Sequence, residues 1–329
     1  MRLKTLLIPL FLLTSIAVHA QDQKASSAPE LARRIDQLKP GQWVWAAEIA
    51  PNGPVLVYVD LSKQIALVYR NGVRIAATTV SSGKDGYATP TGVFTILQKD
   101  ARHRSSTYNN APMPYQQRLT WDGVALHAGG LPGYPESHGC VHLPYAFARE
   151  LFGITDLGIT VVVQGDAASH VRTSDNALLA AFDAKGQPAR HMPLENGQQY
   201  RWTPQVSPQG QLTIIVSKRD QRIVVLRNGV EIGRSVAQIA DDDPGSHVIN
   251  LTMKNGKPQW LYVGLPGHGE DEGVAVDEAI INRVHMPRRF YDLVKAELRP
   301  GATILVTNSG VGAVSSNPMT IMDAVVPTP

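Results

Sequence analysis

From Val55 onward the apolar positions come in short runs of strand length. Val55-Leu56-Val57-Tyr58-Val59, Ile65 to Tyr69 and Val73 to Val80 are rich in β-branched and aromatic residues, and Asn71-Gly72 separates the last two. An Asn-Gly pair between such runs is the signature of a hairpin with a primed turn. Gly92 to Leu97, Gly123 to His127 and Ile159 to Val163 read as further strands, and Tyr145 to Phe152 as a helix. Ahead of them, Ser27 followed by Pro29 and Glu30 forms a helix N-cap, with Leu31, Ile35 and Leu38 on one face up to Pro40-Gly41. Asp166 to Pro208 reads as a mixed connector, with a helix near Asn176 to Phe182. The pattern predicts a mainly β protein with short helices, of the α+β class.

The second half echoes the first. Arg70-Asn71-Gly72-Val73 recurs as Arg227-Asn228-Gly229-Val230, and at the same offset Gln64 meets Gln221 and Ile75 meets Ile232. In the same order, Gly130-Leu131-Pro132-Gly133 recurs as Gly264 to Gly267, and Val141-His142, Pro144 and Phe147 recur as Val284-His285, Pro287 and Phe290. Two copies are too few for a solenoid, so a tandem pair is expected. In these registers Arg283 stands at the place of Cys140 and Leu261 at the place of His127. The second copy keeps scaffold residues and loses reactive ones. It is expected either to bind glycan or to cover the active-site face. The organisation expected is a leader over 1–20, a polar segment and short helix over 21–40, a first domain over 41–166, a connector over 167–208, a degenerate repeat over 209–310 and a tail over 311–329.

Composition narrows the function classes. The 329 residues are 43% hydrophobic and 18% charged, too apolar for disorder. The net charge of +3 falls close to zero once Arg2 and Lys4 are set aside, so no nucleic-acid partner is expected. Those two residues precede the apolar run Leu6 to Val18, and Val18-His19-Ala20 supplies small residues for cleavage. This is a secretory signal peptide, and the run is shorter than the roughly 20 residues of a membrane span. A periplasmic location and no stable membrane span are therefore expected. Cys140 is the one cysteine in the chain, so the fold has no internal disulfide to lean on.

The chemistry gathers around that cysteine. A thiol of ordinary pKa is only a few per cent thiolate at neutral pH, so a nucleophilic Cys140 needs a base, and His127 closes the preceding strand. The turn at Pro132-Gly133 folds the chain back between them. Gly139 permits close backbone approach, and the N–H groups of Gly139 and Cys140 are expected to face an oxyanion. No acidic residue is placed to orient His127, which leaves a backbone carbonyl, that of Ala128, as the acceptor for its second N–H. His138, Cys140 and His142 alternate and, with His127, offer a Cys/His zinc set as a competing reading, but such close ligands strain a tetrahedral site; no metal or other cofactor is expected.

Ser137-His138-Gly139-Cys140 preceded by His127 resembles the signature of the L,D-transpeptidases with a YkuD-type catalytic domain. Thr89-Pro90-Thr91-Gly92-Val93-Phe94-Thr95-Ile96, Ala111-Pro112-Met113-Pro114-Tyr115 and Leu143-Pro144-Tyr145-Ala146-Phe147-Ala148 are similar to segments of proteobacterial members. The resemblance covers Gly41 to Gly165. It implies a β-sandwich-like catalytic domain, peptidoglycan stem peptides as donor and acceptor, a Cys acyl-enzyme and acylation by carbapenems. It assigns Cys140 as nucleophile, His127 as general base, Ser137, His138 and Gly139 as the oxyanion loop, and Met113 and Tyr115 as lining of the donor groove. Two departures stand out: His142 where the family usually has Arg or Asn, and Glu136 where Ala is common. His142 also has a structural reading, because its counterpart His285 survives in the copy without the cysteine. A hydrolase, an enzyme anchoring an outer-membrane lipoprotein, and a non-enzymatic wall-binding protein are the alternatives.

Overall fold

A computed structural model of the chain describes residues 23–165, 180–181, 193–240, 246–263, 273–277, 280, 283–308 and 310–311. In chain order these form α1 (Ala28–Ile35), β1 (Trp43–Trp45), β2 (Val55–Asp60), β3 (Ile65–Arg70), β4 (Val73–Thr79), β5 (Gly92–Thr95), β6 (Gln98–Asp100), β7 (Gln116–Arg118), β8 (Ala125–Ala128), β9 (Val141–Leu143), α2 (Tyr145–Ile154), β10 (Thr160–Gln164) and β11 (Ala180–Ala181). The second half supplies β12 (Tyr200–Trp202), β13 (Leu212–Ser217), β14 (Arg222–Arg227), β15 (Val230–Val236), β16 (Gln238–Ile239), β17 (His247–Lys254), β18 (Lys257–Val263), β19 (Val284–His285), α3 (Arg288–Glu297) and β20 (Thr303–Thr307). The protein is mostly β with a few short helices, none of which among the described residues is long and apolar enough to cross a membrane.

Local chemistry explains the elements. Ser27 accepts the N–H of Glu30 at 3.4 Å, while the Glu30 carboxylate takes the N–H of Ser26 at 2.8 Å, so two orphan donors at the start of α1 are satisfied. Between β3 and β4, Asn71 and Gly72 lie at φ 51° and 77°, the left-handed pair a primed turn requires.

Strand β2 is buried at every position, which is why its sequence is continuously apolar. It lies in a seven-stranded sheet of order β1-β4-β3-β2-β10-β5-β11. Val55, Val57, Val59, Val68, Phe94 and Val161 on one face pack with Leu126, Val141 and Phe147 of β8, β9 and α2. Strands β8 and β9 belong to a separate four-stranded sheet, β6-β7-β8-β9. Leu56, Tyr58, Leu67, Tyr69, Val93 and Val162 on the other face meet Ile215, Val224, Leu226, Val248 and Leu305 of the second half. Thr160 and Thr213 hydroxyls share a 3.2 Å hydrogen bond across this layer. The second half therefore covers the face opposite β8 and β9. The expectation that it covers the active-site face is corrected, because the alternate residues of β2, β3 and β10 are apolar and demand a partner of their own.

The second seven-stranded sheet has the order β12-β15-β14-β13-β20-β17-β18, matching the first in its first six places. Details match too: the Arg70 guanidinium donates to the Ala50 and Pro51 carbonyls at 3.4 and 3.0 Å, and that of Arg227 to Ser207 and Pro208 at 3.1 and 3.0 Å. The Trp45 and Phe147 rings meet edge-on at 5.4 Å, as Trp202 and Phe290 do at 5.8 Å. The seventh place differs, since β11 runs parallel to β5 whereas β18 is a hairpin partner of β17. Where the first half has its four-stranded sheet, the described residues of the second show the two-stranded pair β16 and β19.

Strands β11 and β12 both fall within the segment expected to be a connector. Each pairs at a sheet edge through backbone hydrogen bonds, which a run of only two or three residues does not announce in sequence. The expected leader, the repeat Gly264 to Gly267 and the tail beyond Val311 lie outside the described residues, as does most of the helix expected near Asn176.

Candidate active site

Strands β8 and β9 run parallel, with Leu126 opposite Val141 and His127 opposite His142. This register sets the end of the loop that carries Cys140 beside His127. Both line one cavity of about 660 Å³, together with Met113, Glu136, His138 and His142.

Cys140 is 1% exposed, packs against Met113 and Ala125, and its Sγ donates to the Gly123 carbonyl at 3.4 Å. A carbonyl oxygen only accepts, so this contact is one that a thiol makes and a thiolate does not. His127 is 5% exposed, with Nδ1 2.8 Å from the Ala128 carbonyl. A carbonyl only accepts, so Nδ1 carries the hydrogen and Nε2 keeps its lone pair. Burial, reinforced by His142, pushes the His127 pKa down to about 3. The resting pair is uncharged on both sides.

The loop before Cys140 is held by side chains. Ser137 Oγ donates to the Cys140 carbonyl at 2.6 Å and accepts the Gly139 N–H at 3.1 Å. Gly139 turns at φ 108°, a conformation that favours glycine. Thr89 Oγ1 donates to the Gly139 carbonyl at 2.9 Å and accepts the Gly83 N–H at 2.8 Å. The Gly139 N–H expected to face an oxyanion is thus committed to Ser137, because the tight turn brings that hydroxyl within reach first.

His138 lies between two tyrosines, edge-on to Tyr87 at 4.6 Å and stacked on Tyr108 at 4.5 Å. Burial and then Lys84 lower its pKa. The alternation behind the zinc reading is broken, since β9 starts only at Val141 and His138 is turned between those rings. No three His, Cys, Asp or Glu side chains converge as a metal site among the described residues.

His142 Nδ1 is 3.2 Å from the Gly130 carbonyl and 3.5 Å from Glu136 Oε1, and its ring centre is 4.8 Å from that of His127. Burial lowers its pKa against the pull of Gly130 and Glu136. Its counterpart His285 is exposed on β19. Of the other expected residues, Met113 lines the cavity and Tyr115 does not: Tyr115 packs edge-on to Tyr145 at 5.3 Å and Phe152 at 5.7 Å, and Tyr145 is the one that reaches the cavity. His103 stands 3.3 Å from Asp100, outside the cavity lining. Thr89, Tyr87 and Tyr108 were not singled out from sequence as site residues. Tyr87 and Tyr108 fall in loops of glycine, asparagine and serine, where an isolated aromatic was the available signal.

Residues 54–163 match the family model described as the L,D-transpeptidase catalytic domain, YkuD. Among solved structures, the chain is similar to an L,D-transpeptidase from Stackebrandtia nassauensis at 31% identity, over 41% of this chain and 65% of that one, with a TM-score of 0.34. It is similar to one from Mycobacterium tuberculosis at 25% identity, over 33% and 57%, with a TM-score of 0.32, and to one from Enterococcus faecium at 29%, over 34% and 50%, with a TM-score of 0.31. The similarity thus spans less than two thirds of each of those structures. A search of curated proteins finds no match. The cysteine, the imidazole and the loop between them all lie inside residues 54–163, the segment that matches the L,D-transpeptidase catalytic domain, YkuD.

Proposed function

We propose that the protein is an exported, periplasmic peptidoglycan L,D-transpeptidase that works through an acyl-enzyme on Cys140. The observation that carries this reading is the pairing in one cavity of the chain's single cysteine, as a thiol, with an imidazole whose Nδ1 is tied to Ala128 and whose Nε2 is therefore a base. The donor stem peptide enters the cavity over Met113, and its reacting carbonyl meets Sγ. A separate thiolate and imidazolium would be costly in so buried a place. The thiol proton therefore moves to His127 Nε2 as the S–C bond forms. The tetrahedral oxyanion collapses, the C–N bond to the following residue breaks, and His127 returns the proton to the leaving amine. An amine of a second stem then attacks the thioester, forms the new amide and releases Cys140.

Ser137 and Thr89 act as positioning residues, because both hold the Gly139-Cys140 turn without standing at the reacting carbonyl. The second half is a degenerate copy that covers the apolar back of the first sheet, in keeping with the matched strand order and the shared core.

Purified sacculi incubated with the chain and with Cys140→Ala, followed by mass spectrometry of muropeptides, test the assignment. New dimers that need the thiol are expected, and their fragmentation identifies the donor residue as the first or the third of the stem. Shortened stems without dimers would make the protein a hydrolase on the same site. No thiol-dependent change would refute the enzyme reading and favour a wall-binding protein.

A further inference from the structure

Glu136 and His142 are two departures from the family pattern, and they touch. His142 Nδ1 lies 3.5 Å from Glu136 Oε1 and 3.2 Å from the Gly130 carbonyl. The backbone is cut to make room for the imidazole. A Cβ on Gly129 would fall 2.5 Å from His142 Cγ, and one on Gly130 would fall 2.4 Å from Glu136 Oε1. The first approach meets three atoms of a seated ring and cannot be met by ordinary packing, whereas the second meets only the tip of a side chain that can swing aside. Gly129 therefore seats this imidazole in the cavity wall, with the Glu136 carboxylate beside it.

His127 and His142 are also prepared alike. Each has Nδ1 on a backbone carbonyl of the same short segment, Ala128 for one and Gly130 for the other, which leaves an Nε2 lone pair on each. Among the side chains lining the cavity Glu136 is the one carboxylate, and no lysine or arginine is present. Apart from His138, which is clasped between Tyr87 and Tyr108, the cavity wall holds two imidazoles and one carboxylate.

Transfer to an amine has a matching proton count. A primary alkylammonium must lose two protons before it is an amide nitrogen. One ends on the departing sulfur of Cys140 through His127. The other needs a second base.

We propose that Glu136 and His142 form the acceptor half of the site, with Glu136 receiving a primary alkylammonium and His142 Nε2 taking the first of its two protons. This rests on the acyl-enzyme reading above. The nitrogen, stripped of one proton, forms the N–C bond to the thioester carbon. Its second proton passes to His127, the C–S bond breaks, and His127 protonates the sulfur. The proton on His142, whose charge Glu136 offsets, leaves to solvent. Thioester and alkylammonium thus become thiol, amide and one released proton, with no other reactant. The groups facing His142 are Glu136 from the preceding loop and His127 from β8, and His138 interacts with it at longer range.

The test uses the chain without its leader, a tetrapeptide muropeptide as donor, and two acceptors: ethylamine, an alkylammonium at neutral pH, and hydroxylamine, which is already neutral. Wild type, Glu136→Gln and His142→Asn are each assayed for the Cys140 adduct with a carbapenem and for both transfer products. The ratio of ethylamine to hydroxylamine transfer is expected to fall by roughly 10² in each variant, the scale of a lost general base. Ethylamine transfer by His142→Asn is expected to recover at higher pH, as the acceptor deprotonates in solution. Where one variant no longer forms the adduct, the ratio in the other decides. Ratios equal to wild type in the variants that acylate overturn the proposal. Wild type that forms the adduct but transfers to neither amine also overturns it while the acyl-enzyme stands, whereas wild type that forms no adduct refutes the acyl-enzyme and this proposal with it.

Discussion

Acidification is expected to destabilise the protein through one buried ring. His127 is 5% exposed and stays neutral in the folded state down to a pH of about 3, whereas in the unfolded chain it takes a proton near 6.5. Above 6.5 neither state holds that proton, and the contribution to stability is fully present. Below it the unfolded state binds a proton that the folded state refuses, so stability falls progressively until the pH reaches about 3. At pH 5, about 1.5 units under the unfolded value, one such proton is worth about 2 kcal/mol. His142, also pushed down by burial, acts in the same direction. Urea unfolding followed by tryptophan fluorescence at pH 7 and pH 5, for wild type and His127→Gln, isolates the effect. The variant is expected to lose about 2 kcal/mol less than wild type between the two conditions. Nitrogen NMR of the imidazole gives a direct check, with Nε2 remaining unprotonated throughout. An equal loss in both proteins, or a His127 titration midpoint above pH 5, would refute the lowering of its pKa by burial.

Gly129→Ala places a methyl 2.5 Å from His142 Cγ and is expected to displace that ring, costing about 1–3 kcal/mol in unfolding free energy and lowering amine transfer; an unchanged Tm and rate would show that the wall yields freely. Lys99 Nζ donates to the Phe152 and Thr155 carbonyls at 2.7 and 2.5 Å, closing the end of α2. Lys99→Met is expected to cost about 1–3 kcal/mol by denaturant titration, and a neutral result would mean water replaces the ammonium. Leu226→Asp puts a carboxylate into the layer between the two sheets, where Leu226 is 1% exposed. A loss of several kcal/mol is expected in chemical denaturation, and wild-type stability would disprove that packing.

Much of the site was legible because its chemistry is local in sequence. Cys140, Ser137 and Gly139 lie in one tight turn, and the Ala128 carbonyl proposed to orient His127 is the next residue along the strand. Thr89 was harder to see. It acts across 50 positions, and no local pattern marks a hydroxyl that will meet the Gly139 carbonyl. The aromatic pair around His138 is likewise made by loops that meet only after folding.

What the chain determined by itself is the strand-length apolar runs, the Asn-Gly turns and the Cys-His motif, because each rests on near neighbours in sequence. The run Val55 to Val59 even announces burial on both faces. Tertiary structure alone decided what fills the second face, which short segments become edge strands, and that Glu136 meets His142 where Gly129 leaves space for the ring. Those outcomes depend on register and packing between distant segments, and periodicity carries no information about which apolar face will find which partner.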